Sequence, residues 1–192
     1  FIDAVIINAG DGTHEHPTQA ILDMMSLKEV FGTLNKLKIG IIGDIAHSRV
    51  ALSNIYGLKA MGAEVTLCGP PNLIPKNIED MGVTVNYNID EVIEWADSLN
   101  VLRIQRERMG LGLIPSNREY RSKFGITKKR ILNHKKEIII MHPGPINRGV
   151  EIDSLVADSD QSIILDQVLN GVASRMAILY LFCGESPDKD TK

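Results

Sequence analysis

The stretch LKIGIIG, residues 37–43, is the first of five short apolar runs that decide the fold of this 192-residue chain. Runs of this kind are typical of strands that are buried on both faces. The others are AEVTLCG at 63–69, VTVNY at 83–87, DSLNVLRI at 97–104 and EIIIMHP at 137–143. Longer amphipathic segments separate them, for example residues 48–62, which begin at a serine suited to a helix N-cap and end at a glycine suited to a C-cap. The alternation predicts an α/β fold, a doubly wound (Rossmann-like) parallel sheet of about five strands flanked by helices.

Composition excludes several classes of function. The formal net charge is −3, from 21 basic and 24 acidic residues, so no global field attracts nucleic acid or an anionic membrane. Cys68 and Cys183 lie far apart without a CxxC spacing, which favours a reducing, cytoplasmic location. The longest apolar stretch, 176–183, is too short to span a bilayer. His14 and His16 are close but have no third ligand at a metal-binding spacing, so we expect no metal site.

The first polar cluster precedes the first strand, at residues 8–19, NAGDGTHEHPTQ. A Gly-Asp-Gly turn leads to Pro17, which suits the first position of a helix predicted over 16–32. His16 and Gln19 then flank the positive N-terminus of that helix, where they can address an anionic or carbonyl-bearing ligand. The alternative is that His16 only caps the helix and that Gln19 completes a capping pattern.

Two further clusters lie at the carboxyl ends of predicted strands, where open α/β sheets bind their ligands. Arg49 falls in the first turn of the helix after LKIGIIG, a place that disfavours a cation, so either a ligand or plain exposure to solvent explains it. A dinucleotide loop is disfavoured there because the G-x-G-x-x-G pattern is missing.

In the run NVLRIQRER, Arg103 and Gln105 point the same way along an extended chain and suit a carboxylate, whereas residues 106–108 suit surface pairing.

The last cluster is MHPGPINRG, residues 141–149, which follows an apolar run. Its two prolines have no N–H to donate, so the segment ends the sheet. By itself this pattern predicts only a rigid turn.

Taken together, four segments resemble the catalytic chain of aspartate carbamoyltransferase in order and spacing, and NGVASRMAILY at 170–180 fits the same family. They are INAGDGTHEHPTQAILDMM (7–25), GDIAHSRVALSN (43–54), LRIQRER (102–108) and MHPGPINRGVEI (141–152). The resemblance implies transfer of a carbamoyl group from carbamoyl phosphate to L-aspartate, in pyrimidine biosynthesis and without a cofactor. The signatures of the ornithine-using branch, His-Cys-Leu-Pro and Ser-Met-Gly, do not appear.

The resemblance also implies roles for individual residues at the carbamoyl pocket. His16 donates to the carbamoyl oxygen and stabilises the charge that develops there, and Gln19 contacts the carbamoyl amide. Carbonyl groups of Gly144 and Pro145 accept from the carbamoyl NH₂, with a cis Gly144–Pro145 bond, and Arg148 holds the loop that follows.

At the aspartate site, the resemblance implies that Arg49 and Arg103 hold the two carboxylates and that Gln105 supports Arg103. Two positions depart from the family pattern. Glu15 stands where many relatives have glutamine, and Ala46 stands where lysine is common. Both changes make the site less positive, so we expect weaker binding of aspartate.

Family members have an amino-terminal carbamoyl phosphate domain and a carboxyl-terminal aspartate domain, and the resemblance implies that this chain carries the second. Its Phe1 start inside an apolar run favours a fragment, one inactive without the first domain. The resemblance divides the chain into an interdomain part (1–36), the aspartate-binding domain (37–158), a carboxyl-terminal helix that packs back toward the first domain (159–185) and a polar tail (186–192).

For partners, the resemblance implies a homotrimeric full-length form, with a regulatory chain or a dihydroorotase as further candidates. It implies no nucleic acid and no membrane. Two alternatives remain open from the sequence: a non-catalytic binding or scaffold module that kept the fold, and a carbamoyltransferase for another amino acid.

Overall fold

A five-stranded parallel sheet forms the centre of the computed structural model, which describes residues 4–104, 116–134 and 137–184. The strands lie in the order β3-β2-β1-β4-β5. In the register of the central strands, Ile41 of β1 lies opposite Leu67 of β2 and Asn100 of β4. The strand bounds are β1 Lys38–Ile42, β2 Glu64–Cys68, β3 Thr84–Val85, β4 Ser98–Val101 and β5 Ile139–Met141. The chain steps outward from β1 to β3 and then returns to add β4 and β5 on the other side, which confirms the predicted doubly wound sheet.

Seven α-helices surround this sheet in the described residues. Their bounds are α1 Pro17–Phe31, α2 Arg49–Ala60, α3 Ile89–Trp95, α4 Asn117–Phe124, α5 Lys128–Asn133, α6 Ser154–Ala157 and α7 Ile164–Cys183. The predicted N-cap of α2 is confirmed, because the Ser48 hydroxyl accepts from the backbone N–H of Ala51 at 3.2 Å. A search of the same residues for a helix with the length and hydropathy of a membrane span finds none.

Each face of the sheet packs against helices, since neighbouring strand residues point to opposite faces. On one face Ile39 and Ile41 pack in a core with Leu27 of α1 and with Ile55 and Leu58 of α2. On the other face a second core contains Ile42 of β1 and Leu99 and Val101 of β4, together with residues of α3 and α4. All of these side chains are buried, which explains why the strands appear in the sequence as nearly continuous apolar runs.

The observed strands are shorter than the predicted runs. The run at 137–143 pairs only as far as Met141, because Pro143 has no N–H for the ladder. The run at 97–104 pairs only as far as Val101, so Arg103 lies in the loop beyond β4 rather than on an extended strand. The predicted strand was therefore too long at this end. The shared direction of Arg103 and Gln105 stays a prediction, because Gln105 lies outside the described residues.

Candidate active site

The carboxyl ends of β1, β4 and β5 meet at one edge of the sheet. Leu102, just after β4, donates its N–H to the carbonyl of Ile42 at 2.8 Å. The side-chain amide of Asn147 in turn donates to the carbonyl of Ile104 at 3.1 Å, which ties the loop after β5 to the loop after β4. Three of the four predicted polar clusters follow these strands, so the fold brings their backbones to the same edge.

His16 begins α1 without capping it through its side chain. The residue occupies the N-cap position, but its imidazole makes no capping hydrogen bond. Its backbone N–H donates instead to the Ser53 hydroxyl of α2 at 2.9 Å, and that hydroxyl donates to the Glu15 carboxylate. Gln19 also fails to complete a capping pattern, because its amide donates to Asp23 at 2.9 Å. The capping alternative for His16 and Gln19 was therefore wrong, and both side chains require another explanation.

The imidazole of His16 lies in a positive electrostatic environment. Burial lowers its pKa, and the nearby guanidinium groups of Arg49 and Arg175 lower the pKa further, because each effect disfavours a second positive charge. The ring therefore stays neutral to a lower pH than a free histidine. A neutral imidazole still has one N–H, so His16 can act as a hydrogen-bond donor to a carbonyl oxygen.

Arg49, the first residue of α2, packs its guanidinium against the backbone of Gly10. A methyl group on Gly10 would lie 2.7 Å from both Cζ and Nη1 of Arg49, so only glycine allows this approach. Gly10 also has φ of 122°, which favours glycine for a second reason. The contact contradicts the alternative of an arginine that projects only into solvent, because the guanidinium lies beside the loop that precedes His16.

Gln19 and Gly144 line one cavity of about 380 Å³ at this edge. Three polar side chains line it with them, those of His142, Gln167 and Arg175. The resemblance assigns Gln19 and Gly144 to the carbamoyl pocket, and both residues line this one cavity. Pro145 follows Gly144 as an exposed residue, and the bond between them is cis, which confirms the prediction.

The loop at 143–149 is held by a buried His142–Glu151 pair. His142 Nδ1 accepts the N–H of Gly144 at 2.9 Å, so the ring proton is on Nε2, which lies 3.3 Å from Glu151 Oε1. The same carboxylate oxygen accepts the N–H of Asn147 at 2.5 Å. Both side chains of the pair are fully buried. The buried pair thereby fixes two backbone N–H groups of the loop, those of Gly144 and Asn147.

Arg148, which the resemblance assigns to holding the loop that follows, pairs with Asp158 at the surface. Its guanidinium makes two parallel bonds to Asp158, at 2.7 and 2.8 Å. The pairing lowers the pKa of the Asp158 carboxyl, since the adjacent guanidinium favours the ionised form. The loop is thus tied to the residue that follows α6.

Arg103 lies two residues beyond β4, at the same sheet edge as Arg49, and is partly buried. The sequence analysis did not single out several buried or cavity-lining polar residues, among them Asp23, Asn54, Asn100, Gln167 and Arg175. Asp23 left a weak signal, because it interrupts the apolar run AILDMM one helical turn after Gln19.

The sequence of the chain is similar to those of known carbamoyltransferases. A family model described as the Asp/Orn-binding domain of aspartate/ornithine carbamoyltransferase matches residues 35–182. The chain is 59% identical over 184 residues to the aspartate carbamoyltransferase catalytic subunit of Christiangramia forsetii, covering 96% of this chain and 59% of that protein. It is 57% identical over 187 residues to the catalytic subunit of Gemmatimonas aurantiaca, covering 97% of this chain and 59% of that protein. The chain thus spans somewhat less than two thirds of the length of these curated relatives.

A solved structure gives the same result at lower identity. The catalytic subunit of M. jannaschii aspartate transcarbamoylase superposes with a TM-score of 0.79 at 33% identity, covering 96% of this chain and 61% of that one. An ornithine carbamoyltransferase from Pyrococcus furiosus superposes with a TM-score of 0.74 at 24% identity, which shows a shared fold alone.

Proposed function

The chain belongs to the aspartate/ornithine carbamoyltransferase family, as its Asp/Orn-binding domain, and from this premise we propose that it forms the aspartate-binding part of an aspartate carbamoyltransferase. The observation that carries the proposal is the cavity that Gln19 of α1 shares with Gly144 of the cis-proline loop. Two segments far apart in the sequence, each assigned to a carbamoyl pocket by its motif, line the same cavity. The names of the relatives favour aspartate over other amino acids as the acceptor.

In the proposed carbamoyl pocket, His16 donates its N–H to the carbamoyl oxygen. Negative charge grows on that oxygen when the amine attacks, so a donor already in place stabilises the transition state more than the bound substrate. The positive field of Arg49 and Arg175 acts in the same direction. Gln19 contacts the carbamoyl amide from α1, and carbonyl groups at Gly144 and Pro145 accept from it on the opposite side.

In the proposed aspartate site, Arg49 and Arg103 hold the two carboxylates, with Gln105 in support. A guanidinium offers a planar fork of donors that matches a carboxylate in charge and in geometry. Gly10 supports this role for Arg49 because its missing side chain lets the guanidinium lie against the loop that leads to His16. The amine of the bound aspartate is thereby directed toward the carbamoyl pocket.

The reaction forms a bond from the aspartate nitrogen to the carbamoyl carbon and breaks the bond from that carbon to the phosphate oxygen. Phosphate leaves with the bonding electron pair, and the nitrogen loses a proton to give N-carbamoyl-L-aspartate. The mechanism needs no covalent intermediate on a side chain. The rate gain comes mainly from holding two bound substrates in line, which removes an entropic cost from the barrier.

We assign the rest of the carbamoyl phosphate site to the part of the relatives that this chain does not span. An apolar stripe on α7 supports this, since Leu165, Leu169, Val172 and Met176 recur at helical spacing and are 57–83% exposed. We propose that this stripe packs against a carbamoyl phosphate domain. The same proposal includes a homotrimeric full-length form in the cytoplasm, where the free thiols of Cys68 and Cys183 would persist.

The test is an assay of the full-length gene product with carbamoyl phosphate and either L-aspartate or L-ornithine. We expect N-carbamoyl-L-aspartate, a large loss of aspartate affinity in Arg103→Gln, and unchanged kinetics in the exposed Arg118→Gln control. Faster turnover of ornithine would identify a transferase for another amino acid. Binding of succinate without any turnover would identify a non-catalytic module instead.

A further inference from the structure

We propose that Asp23 is a positioning residue for this reaction: its buried carboxylate sets which end of the Gln19 amide faces the carbamoyl pocket and, through Gln167, holds the cis-proline loop. The inference rests on the proposed function and deepens it. Asp23 lies on α1, and nothing in its local sequence marks it beyond the break that it makes in an apolar run.

The Asp23 cluster consists of this carboxylate and the four side-chain amides that donate to it. Oδ1 accepts from Nε2 of Gln19 at 2.9 Å and from Nε2 of Gln167 at 2.7 Å. Oδ2 accepts from Nδ2 of Asn54 at 2.8 Å and from Nδ2 of Asn100 at 3.3 Å. A carboxylate has about four lone-pair positions, so these four bonds saturate it. The donors come from α1, α7, α2 and β4. The cluster therefore links four secondary-structure elements at a single carboxylate.

Burying the Asp23 carboxylate costs free energy of desolvation, and packing alone does not explain why a charged group is kept here. Asp23 is fully buried, and burial raises its pKa because it disfavours the charged form, while the four amides act in the opposite direction. Asn54 and Asn100 keep their N–H groups on the carboxylate although the Oδ1 atom of each has no hydrogen-bond partner among the described residues. Apolar side chains of similar size would avoid the desolvation of this buried carboxylate.

The first consequence concerns Gln19. A glutamine amide has a donor end and an acceptor end, and Asp23 accepts only from donors. With Nε2 held on Asp23, the Oε1 atom is the end that remains for a ligand in the cavity that Gln19 lines. A carbamoyl NH₂ group is a donor, so it requires this acceptor. Rotation of the Gln19 amide by half a turn would place its oxygen against the Asp23 carboxylate and its N–H groups against the carbamoyl NH₂. Both hydrogen bonds would then be lost.

The second consequence concerns the cis-proline loop, which lines the same cavity. Because Gln167 donates to Asp23 through Nε2, its Oε1 is free to accept the N–H of His142 at 2.9 Å, just after β5. His142 then accepts the N–H of Gly144, which lines the same cavity as Gln19. One carboxylate thus positions two residues that line the cavity, Gln19 through one hydrogen bond and Gly144 through a chain of three.

A double-mutant cycle in the full-length gene product tests this role. Asp23→Asn keeps the volume but presents an amide N–H to surrounding donors, so we expect kcat/KM for carbamoyl phosphate to fall about 10- to 100-fold. Gln19→Ala should cause a similar loss, and the double variant should be no worse than the more severe single variant, since both changes remove the same contact. Ser26→Ala is the matched control, one turn further along α1 and equally buried, and should lower stability with unchanged kinetics.

The outcomes separate this inference from the function on which it rests. An inactive wild-type protein overturns the proposed function and the inference with it. An active wild type with unchanged kinetics in Asp23→Asn, or with losses that multiply in the double variant, overturns the inference alone. If Asp23→Asn does not fold, Gln167→Met takes its place in the cycle with Gln19→Ala. Coupling below about twofold in that cycle also overturns the inference, since both glutamines donate to the same oxygen of Asp23.

Discussion

The side-chain amide of Gln167 on α7 donates a 2.7 Å hydrogen bond to the Asp23 carboxylate on α1, across 144 residues of chain. The two helices pack along each other beside the sheet, and a second polar pair joins them where Asn170 donates to the Ser26 hydroxyl at 3.0 Å. The first and last helices of the described chain are therefore joined by buried hydrogen bonds that have a defined direction and register. Such bonds fix a unique arrangement more strictly than apolar contacts do.

Removal of Gln167 should destabilise the fold strongly. Gln167→Ala leaves the His142 N–H without its acceptor and takes one donor from a buried carboxylate, so we expect a loss of about 2–4 kcal/mol in the free energy of unfolding. Val168→Ala is the matched control, because its side chain is 65% exposed, and it should change stability by less than about 0.5 kcal/mol. Urea denaturation followed by circular dichroism measures both. Equal losses in the two variants would contradict a structural role for the Asp23–Gln167 bond.

The two cysteines should differ sharply in reactivity. Cys68 is buried at the end of β2, and burial raises the pKa of its thiol to about 12, so almost no reactive thiolate forms at neutral pH. Cys183 is exposed at the end of α7. We expect one thiol to react with a disulfide reagent in the native protein and two in denaturant, with none reacting in native Cys183→Ser. Rapid native labelling of Cys68 would show that this part of the sheet opens far more readily than its packing implies.

The parallel sheet could be predicted from the sequence because its strands are buried on both faces, and that burial leaves a local signature. Ile39, Ile41 and Ile42 have no exposed surface, so the run that contains them has no polar alternation. The helices α3 and α4 left a weaker signature and were not predicted. Each spans only about two turns, too few for an apolar period to repeat.

The polar residues of the site divide in the same way. His16 and Gln19 were found because they stand beside a proline at a helix start, a pattern that needs only a few neighbouring residues. Asp23 was not found, because its partners come from four elements and converge only in three dimensions. Arg175 was passed over as part of a helical segment, although its charge acts on His16 from the other end of the described chain.

The contact between Gly10 and Arg49 should control aspartate affinity. In Gly10→Ala the new methyl group would lie 2.7 Å from Cζ of Arg49 and must displace the guanidinium, so we expect KM for aspartate to rise about tenfold or more. KM for carbamoyl phosphate should change much less. Gly12→Ala is the control, since Gly12 also has a positive φ, of 51°, but a methyl group there meets no atom within 4 Å. If both variants raise KM for aspartate equally, loop strain rather than the displaced arginine is the cause.

The pH dependence of His16 should follow the charges around it. Its pKa is lowered first by burial and then by Arg49 and Arg175, so the ring titrates at a lower pH than a free histidine, whose pKa is 6.5. Arg175→Gln removes one of the two positive charges and should move the pKa back up toward that value, without reaching it, because burial and Arg49 still act. The acidic limb of the activity profile should then move to higher pH, since His16 gains a proton earlier as the pH falls.

Titration of the His16 ring protons by NMR measures the shift directly, with the exposed Arg118→Gln as a control for a general change in net charge. A His16 pKa that is the same in wild type and Arg175→Gln would show that Arg175 does not act on the imidazole, and the positive field proposed for the carbamoyl oxygen would then come from Arg49 alone.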